Sequence, residues 1–399
     1  MIEFLVFVAL LIIAMALLLT CVILCISLLI KRRKGIAVNK TKARLGRNAI
    51  VLCSLLVVIL GFSLISYFTA KTPPILNEQG EVLNGSISEL TRIELNGRKE
   101  WISIRGESTK NPVLLFLAGG PGGTQMAAVR HDLTELEKHF IVVNWDQPGS
   151  GKSYSAAPRK SLTVNEYIDD GRALTEYLSK RFEQDKIYLV GESWGSALGI
   201  FLASDMPESY HAVIGTGQMI DFLETEKMDY DIAVKIAEDR GDFKKLEKLK
   251  ANGSPPYYGS DVTWKSAEYL NYLSAYMAGN PKIQNSGYNT FRDIFSPEYG
   301  IIDKINFLRG VITTFNHVYP QLYKIDLRVD YPKIDVPVYL FLGRHDINAP
   351  TSLAEDYFNI LDTPHKEIIW FENSGHSPWI NESEKFVNEL VDIKSRITN

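Results

Sequence analysis

The sequence predicts an α/β fold, in which helices cover both faces of a mostly parallel sheet, preceded by a two-helix transmembrane hairpin. Two apolar runs of membrane length open the 399-residue chain, and short apolar runs then alternate with helical patterns. A long interruption between two of the later runs predicts a helical cap. We divide the chain into transmembrane helix 1 (1–30), a basic cytoplasmic loop (31–48), transmembrane helix 2 (49–70), a linker (71–86), the α/β core (87–217 and 336–399) and the cap (218–335).

Charge is spread unevenly along the chain, and this restricts the possible classes of function. Residues 1–70 contain eight Lys/Arg and one acidic residue, so the remainder is acidic, since the net charge of the whole chain is −4. An acidic body argues against nucleic acid as a partner. A content of 46% hydrophobic residues argues against disorder. We expect a folded body that binds no nucleic acid.

The two apolar runs, 4–30 and 49–68, each exceed the roughly 18 residues that mark a spanning helix. All eight basic residues of the head lie between them, and short loops rich in Lys/Arg stay on the cytoplasmic side. We therefore expect both runs to cross the bilayer of the plasma membrane in two passes. The body then lies on the extracytoplasmic side.

A cleaved signal peptide is the alternative interpretation of the head. The first run is preceded by Glu3 and followed by basic residues, which is the wrong polarity for a secretory signal. The second run ends with the bulky Phe68 where signal peptidase prefers a small residue. An uncleaved anchor is therefore favoured. The three cysteines all lie inside the apolar runs, so the body can form neither a disulfide nor a cysteine-ligated metal site.

The body begins with a predicted β-hairpin and continues as alternating strands and helices. Apolar and polar residues alternate on both sides of Asn96-Gly97, which is a strong hairpin signal. Continuous apolar runs then suit strands that are buried on both faces. The predicted strands are 113–117, 140–144, 187–190, 213–214, 336–342 and 367–371, and the predicted helices between or after them are 164–182, 196–204, 352–361 and 383–397.

Residues 218–335 interrupt this alternation and have a different texture, with helical charge patterns and many aromatic residues. An independent domain is one interpretation. The chain nevertheless returns to a buried strand at residue 336, which favours an insertion into the sheet domain. A cap over the carboxyl edge of the sheet is expected, because ligands bind at that edge in open α/β sheets.

The most specific motif is Gly191-Glu192-Ser193-Trp194-Gly195, which follows a predicted strand and opens a predicted helix. A serine in a GxSxG turn between strand and helix is held on a tight turn that presents its hydroxyl at the sheet edge. The short pattern alone recurs by chance. Its position between strand and helix makes Ser193 a candidate nucleophile.

A glycine-rich loop, Ala118 to Gly123, directly follows the strand 113–117. Its backbone amides can supply one donor of an oxyanion hole, and the amide of Trp194 can supply the other. A flexible turn and a phosphate-binding loop are the alternatives. This loop does not end in the Gly-Lys-Ser/Thr of a phosphate loop, and a dinucleotide fold would lack its acidic ribose partner.

A serine nucleophile needs a base and an acidic partner, and two residues fall at suitable positions. His376 follows the last predicted strand, and Asp346 follows the strand before it. A lone Asp after a strand is usually a turn or helix-cap residue, and the other six histidines are expected to be surface or structural groups. The order Ser193, Asp346, His376 on three strand ends is the order of the Ser-Asp-His triad in this kind of α/β sheet.

These motifs, together with Trp145 to Ser153 (WDQPGSGKS), resemble the proline iminopeptidase family of α/β-hydrolases over residues 95–399. The resemblance implies an α/β-hydrolase fold, an acylated Ser193, and an oxyanion hole formed by Gly120 and Trp194. Two positions depart from the family pattern: Ala118 replaces its usual His, and Pro148 replaces its common Arg. Because a backbone oxyanion hole survives such changes, they bear more on specificity than on hydrolysis.

The same resemblance implies that cap glutamates bind the free amino end of the substrate. The nearest candidates are Glu224 and Glu226, just after the strand 213–214. Both lie in a charged, helix-like stretch, where acidic side chains are usually solvated.

The sequence therefore predicts a membrane-anchored serine hydrolase, an aminopeptidase that releases N-terminal residues from small peptides without metal or cofactor. We expect Asp146 and Gln147 to brace the site rather than to take part in the chemistry. A carboxylesterase, lipase-like hydrolase or lactonase acting on a small acyl substrate is the alternative, and a non-catalytic surface binding module is the second. Ser193 at the elbow excludes an Asp-nucleophile dehalogenase or epoxide hydrolase. The oligomeric state is open.

Overall fold

The computed structural model describes residues 2–285 and 287–398, which form two compact units. The first unit comprises Met1–Lys71 with Pro297–Ile305, and the second comprises Thr72–Ser296 with Asn306–Asn399. The predicted domain boundaries are finer than this division and stay predictions.

The first unit is built on two long helices, α1 (Ile2–Arg33) and α2 (Asn39–Thr69). Both are long and apolar enough to be candidate membrane spans. Most of their large apolar side chains are exposed, as expected for a surface that faces lipid rather than a protein core. The helices continue past the apolar runs, so basic residues occupy the last turn of α1 and the first turns of α2.

A short segment from the distant part of the chain completes this unit. Ile301 is fully buried in a cluster with Phe7, Ala14 and Ile59 of the two helices. Its amide donates a hydrogen bond of 2.9 Å to the hydroxyl of Ser66, near the end of α2. No periodicity in the sequence predicts this long-range contact.

The second unit contains the sheet. Among the described residues it has eight strands in the order β1-β2-β4-β3-β5-β6-β7-β8, where β1 pairs antiparallel with β2, β2 pairs antiparallel with β4, and all other pairs are parallel. The strands are β1 (Ile87–Leu95), β2 (Arg98–Gly106), β3 (Val113–Leu117), β4 (Ile141–Asp146), β5 (Ile187–Glu192), β6 (Tyr210–Thr216), β7 (Val338–Gly343) and β8 (Lys366–Phe371).

The predicted hairpin is confirmed. Leu95 pairs with Arg98, so Asn96 and Gly97 form a two-residue turn, and both have positive φ (48° and 80°). This conformation matches the right-handed twist of the paired strands and explains the Asn-Gly sequence.

The predicted mostly parallel sheet is also confirmed. The residues of β3, β4, β5 and β7 are all buried, as the continuous apolar runs predict. Separate apolar clusters cover the two faces of the sheet. The helices that flank the sheet are α3 (Met126–Asp132), α4 (Val164–Phe182), α5 (Trp194–Asp205), α13 (Thr351–Ile360), α14 (Pro378–Asn381) and α15 (Ser383–Thr398).

A helical insertion separates β6 from β7, as predicted. Within the second unit it contacts the loops at the carboxyl ends of the strands: Gly310 packs on Gly122, Thr314 donates a hydrogen bond of 2.7 Å to Gly149 O, and Met277 packs on Gly375. The insertion therefore covers that edge of the sheet. Its helices are α6 (Phe222–Asp239), α7 (Phe243–Asn252), α8 (Val262–Ala278), α9 (Thr290–Ile294), α10 (Ile301–Arg309), α11 (Phe315–Leu322) and α12 (Leu327–Asp330), with a π-helical turn at Gly310–Thr314.

The turn from β5 into α5 packs directly against the end of β3. A Cβ atom added at Gly195 would lie 2.0 Å from the carbonyl oxygen of Leu117, and one at Gly191 would lie 2.2 Å from Gly195 O. Both neighbours are backbone atoms, which cannot rotate away. Glycine at these two positions therefore lets the turn approach the sheet edge.

We expect Gly195→Ala to destabilise the protein by about 3 kcal/mol, the upper range for overpacking, because backbone must move to admit the methyl group. Gly279→Ala is the matched control, since the nearest atoms to a Cβ there lie at an ordinary 3.5 Å. Thermal unfolding of both variants measures the difference. Equal melting temperatures would contradict the close packing of the turn.

Candidate active site

Ser193 lies on the turn between β5 and α5, as its motif predicts. Its backbone has φ 53° and ψ −122°, a conformation that non-glycine residues rarely adopt. The residues before and after it are fixed, because Glu192 ends a buried strand and Trp194 is fully buried. The strain is therefore maintained by the surrounding packing, and strain of this kind is typical of functional sites.

Asp346 and His376 lie in the loops that follow β7 and β8 and are hydrogen bonded to each other. The Nδ1 atom of His376 is 3.0 Å from Oδ2 of Asp346. The other carboxylate oxygen, Oδ1, accepts hydrogen bonds from the amides of Asn348 (2.8 Å) and Ala349 (3.0 Å). These amides fix the orientation of the carboxylate, which in turn orients the imidazole.

The charge environment of His376 favours the protonated imidazole. Burial lowers the pKa of His376, but the charge and hydrogen bond of Asp346 and the charge of Glu192 outweigh burial and raise it to about 8. An imidazole with this pKa, near neutral pH, can accept and return a proton during a reaction.

Ser193 and His376 both contact the dipeptide at the end of β6. The amide of Ser193 donates a hydrogen bond of 3.0 Å to the carbonyl oxygen of Thr216. Gly217 has φ +50°, and a Cβ atom there would lie 2.7 Å from Cε1 of His376. Glycine at this position therefore lets the imidazole approach the strand end to which the elbow is bonded.

The glycine-rich loop passes beside the elbow. A Cβ atom at Gly119 would lie 3.3 Å from Cβ of Ser193, and the Gly119 amide donates to Oε1 of Gln125 at 3.3 Å. Gly120, the next residue, has φ +130°, which places its backbone in a conformation that favours glycine. Gly119 and Ser193 therefore lie in contact, and the two candidate oxyanion residues, Gly120 and Trp194, directly follow them in the chain.

Gln147 and Asp146 brace this loop, as the sequence predicts. Gln147 donates to Ala118 O at 3.1 Å and accepts from the indole of Trp194 at 2.9 Å. Asp146 accepts from the hydroxyl of Thr124, at the other end of the loop, and from the amide of Lys152. Both ends of the loop are therefore tied to the segment that follows β4.

The structure separates the two candidate cap glutamates. Asp221 caps the N-terminus of α6 through a hydrogen bond from the amide of Glu224. Glu226 is then fully enclosed, and it accepts hydrogen bonds from the hydroxyls of Tyr269 and Tyr319. Burial raises the pKa of Glu226 to about 7, although these hydrogen bonds oppose the increase.

Glu224 has a different environment. On a helix with 3.6 residues per turn, residues two positions apart point in directions about 200° apart. Glu224 and Glu226 therefore lie on opposite sides of α6. The side chain of Glu224 is 44% exposed and forms an ion pair of 2.6 Å with Arg328. The carboxylate of Glu224 is therefore already paired with a cation at the surface.

Asp229 is a buried acid that sequence reasoning missed. It lies three residues after Glu226 on the same side of α6 and is fully buried. Among the described residues, neither of its carboxylate oxygens has a hydrogen-bond partner. Burial raises the pKa of Asp229 well above its usual range, and the neighbouring charges of Glu226 and Asp346 add to the effect. The only sequence signal is the spacing of three residues from Glu226, which also fits an ordinary surface acid.

A cavity of about 430 Å³ opens beside the imidazole of His376. The insertion supplies most of its wall, through residues such as Met277, Ile283 and Tyr288, and Asn348 lines it from the loop after β7. The space suits a small substrate rather than a folded protein chain. Among the described residues, no group of three His, Cys, Asp or Glu side chains is arranged to hold a metal ion.

Known proteins match the chain in both sequence and fold. A family described as the alpha/beta hydrolase fold matches residues 112–383. The chain is 32% identical to a probable aminopeptidase, YbaC, of Bacillus subtilis strain 168, over 76% of this chain and 96% of that protein. It is 26% identical to a proline iminopeptidase of Saccharolobus solfataricus, over 71% of this chain and 85% of that protein.

A solved structure gives the same fold. The crystal structure of a proline iminopeptidase of Mycobacterium smegmatis superposes with a TM-score of 0.58 at 16% identity, covering 77% of this chain and 98% of that one. Sheet order, elbow and sequence matches agree, so the chain belongs to the α/β-hydrolase family and is a proline iminopeptidase-like hydrolase.

Proposed function

We propose that this protein is a membrane-anchored serine aminopeptidase that releases N-terminal residues from small peptides. The observation that carries the proposal is the buried acidic pair Glu226 and Asp229, whose neighbour Asp346 is hydrogen bonded to His376. An exopeptidase has to distinguish a free α-amino group from an internal amide, and carboxylates close to the reacting centre can do so. The similarity to a probable aminopeptidase and to proline iminopeptidases supports the same function.

The reaction is an acyl transfer through a covalent intermediate. The hydroxyl of Ser193 attacks the carbonyl carbon of the first residue while His376 takes its proton, and Asp346 holds the imidazole in the required tautomer. The amides of Gly120 and Trp194 receive the developing oxyanion. His376 then protonates the leaving amine as the carbon–nitrogen bond breaks, and a water molecule hydrolyses the acyl-enzyme in the reverse sequence of proton transfers.

Asp229 and Glu226 recognise the substrate ammonium. Without a ligand, burial and the neighbouring charges of Glu226 and Asp346 favour the protonated form of Asp229, because ionising it costs free energy that no cation offsets. When the substrate ammonium binds, Asp229 releases its proton to solvent, the ammonium supplies the missing positive charge, and hydrogen bonds from it satisfy the oxygens of Asp229. A substrate that places its ammonium elsewhere buries it without a partner, at a cost of several kcal/mol. A substrate that lacks the free amine leaves the oxygens of Asp229 unsatisfied, so both kinds of substrate are rejected.

We expect Ser193→Ala to abolish turnover and labelling by a fluorophosphonate probe, because the probe reacts with an activated serine. The melting temperature is expected to change little, because a backbone φ of 53° is about equally unfavourable for alanine and for serine. Gel fluorescence after labelling and thermal unfolding measure the two outcomes. Labelling that persists in the variant would show that another residue is the nucleophile.

We expect Asp229→Asn to raise KM for a free aminoacyl arylamide at least about tenfold, equivalent to about 1.4 kcal/mol. Hydrolysis of a neutral acyl ester should change less than about twofold. Glu226→Gln should act in the same direction, whereas the matched control Glu224→Gln, at the exposed ion pair, should leave both substrates unaffected. Asp229→Asn removes no hydrogen bond among the described residues, so the fold is expected to tolerate it.

The same assay separates peptidase from esterase. The aminopeptidase should cleave the free aminoacyl substrate and refuse its N-acetylated form. If the acetylated form or simple acyl esters are hydrolysed equally well, the peptidase proposal is wrong and an esterase takes its place.

The hairpin anchors the enzyme in the plasma membrane with its catalytic body outside, because the basic residues lie between α1 and α2. We expect protease added to intact cells to remove the body and to leave the hairpin in the membrane. Immunoblotting with antibodies to each part measures the outcome. A body that is cleaved only after lysis would place it on the cytoplasmic side.

A further inference from the structure

Glu192, the second residue of the elbow motif, has a role that the triad does not account for. Its side chain is buried, and its carboxylate accepts four hydrogen bonds from side chains. Oε1 accepts from the hydroxyl of Ser377 at 2.5 Å and from the indole of Trp379 at 2.8 Å. Oε2 accepts from the side-chain amide of Gln125 and from the hydroxyl of Tyr288.

The four donors match the acceptor capacity of one ionised carboxylate. Removing a charge from water is costly, but a buried carboxylate is tolerated when all its oxygens are hydrogen bonded. This arrangement differs from that of Asp229, whose oxygens have no partner among the described residues. The hydrogen bonds of the Glu192 carboxylate therefore all come from the protein, and no acceptor position is left for a ligand.

The donors come from each part of the chain that shapes the site. Ser377 follows His376 directly, and Gln125 also accepts from the amide of Gly119 in the glycine-rich loop. Tyr288 belongs to the insertion and lines the cavity beside His376. One carboxylate on the elbow is thus connected to the histidine loop, the glycine-rich loop and the cavity wall.

The charge of Glu192 also acts on the imidazole. Among the described residues, the charged groups that face His376 are Asp346, from the loop after β7, and Glu192, from the elbow. Asp229 of α6 faces Asp346, and Tyr288 is the titratable group that faces Glu192. A second negative charge near His376 stabilises the imidazolium that forms when the nucleophile loses its proton.

We propose that Glu192 is a positioning residue that aligns the histidine loop with the glycine-rich loop and stabilises the imidazolium form of His376. The inference rests on the proposed serine mechanism. It assigns to the second residue of the motif a function distinct from those of Ser193 and Asp346.

The test uses the rate of fluorophosphonate labelling as a function of pH, which needs no identified substrate. In the full-length protein the rate should rise with pH around pH 8 as His376 loses its proton. Loss of the negative charge in Glu192→Gln lowers the pKa of His376, so the midpoint should move to lower pH by about one unit. The plateau rate should fall about tenfold, because the loops lose alignment.

Two further variants distinguish charge from packing. Glu192→Asp keeps the charge but shortens the side chain, so its midpoint should stay near that of the unmodified protein while its plateau falls. Glu382→Gln is the matched control: this buried acid accepts from Ser374 and Asn373 on the same loop and is not among the charges that face His376. Its midpoint should not move.

The outcomes separate this inference from the proposed function. If the unmodified protein is not labelled at Ser193, the serine mechanism itself is wrong. If labelling occurs and the midpoint is the same in Glu192→Gln as in the unmodified protein, or moves equally in Glu382→Gln, the role of Glu192 is overturned. If Glu192→Gln does not fold, Glu192→Asp tests the proposal instead. An unchanged plateau rate of labelling in Glu192→Asp would contradict the role of Glu192 in aligning the loops.

Discussion

The close approach of the elbow to the end of β3 is the constraint on which the rest of the site depends. The contact of Gly195 with Leu117 O leaves no room for a side chain, and it brings the turn that carries Ser193 against the start of the glycine-rich loop. The candidate oxyanion residues, Gly120 and Trp194, directly follow Gly119 and Ser193, which meet at this contact. Without this approach, the candidate nucleophile and the candidate oxyanion donors would lie on separate loops with no contact between them.

The parallel sheet extends this arrangement to the other members of the site. Because β5, β6, β7 and β8 run in the same direction, Ser193, Gly217, Asp346 and His376 all follow strand ends at one edge. Chain segments far apart in sequence therefore meet without long loops. The insertion covers this same edge, and partial shielding from solvent strengthens the electrostatic interactions beneath it.

Periodicity and turn chemistry predict the fold well, but they do not predict contacts between distant segments. The hairpin at Asn96-Gly97, the buried strands and the helical insertion follow from local patterns, and so do the positions of Ser193, Asp346 and His376 at strand ends. The sequence does not show which of Glu224 and Glu226 is buried. Only the packing of α6 shows that the side with Glu226 faces the interior. The donors around Glu192 come from three distant segments, and no spacing in the sequence could indicate them.

Two buried carboxylates show how the same chemical group can serve opposite purposes. Glu192 has its oxygens filled by protein donors, so it stabilises one arrangement of loops and holds a fixed charge beside His376. Among the described residues, no donor forms a hydrogen bond to Asp229. Hydrogen bonds from a ligand to its carboxyl group would therefore stabilise the complex but not the free protein. A protein gains no stability from such an acid, since burying an unsatisfied polar group opposes folding. Its presence beside Asp346, in a cap that otherwise satisfies Glu226 with two tyrosines, supports the proposal that Asp229 binds the ammonium of the substrate.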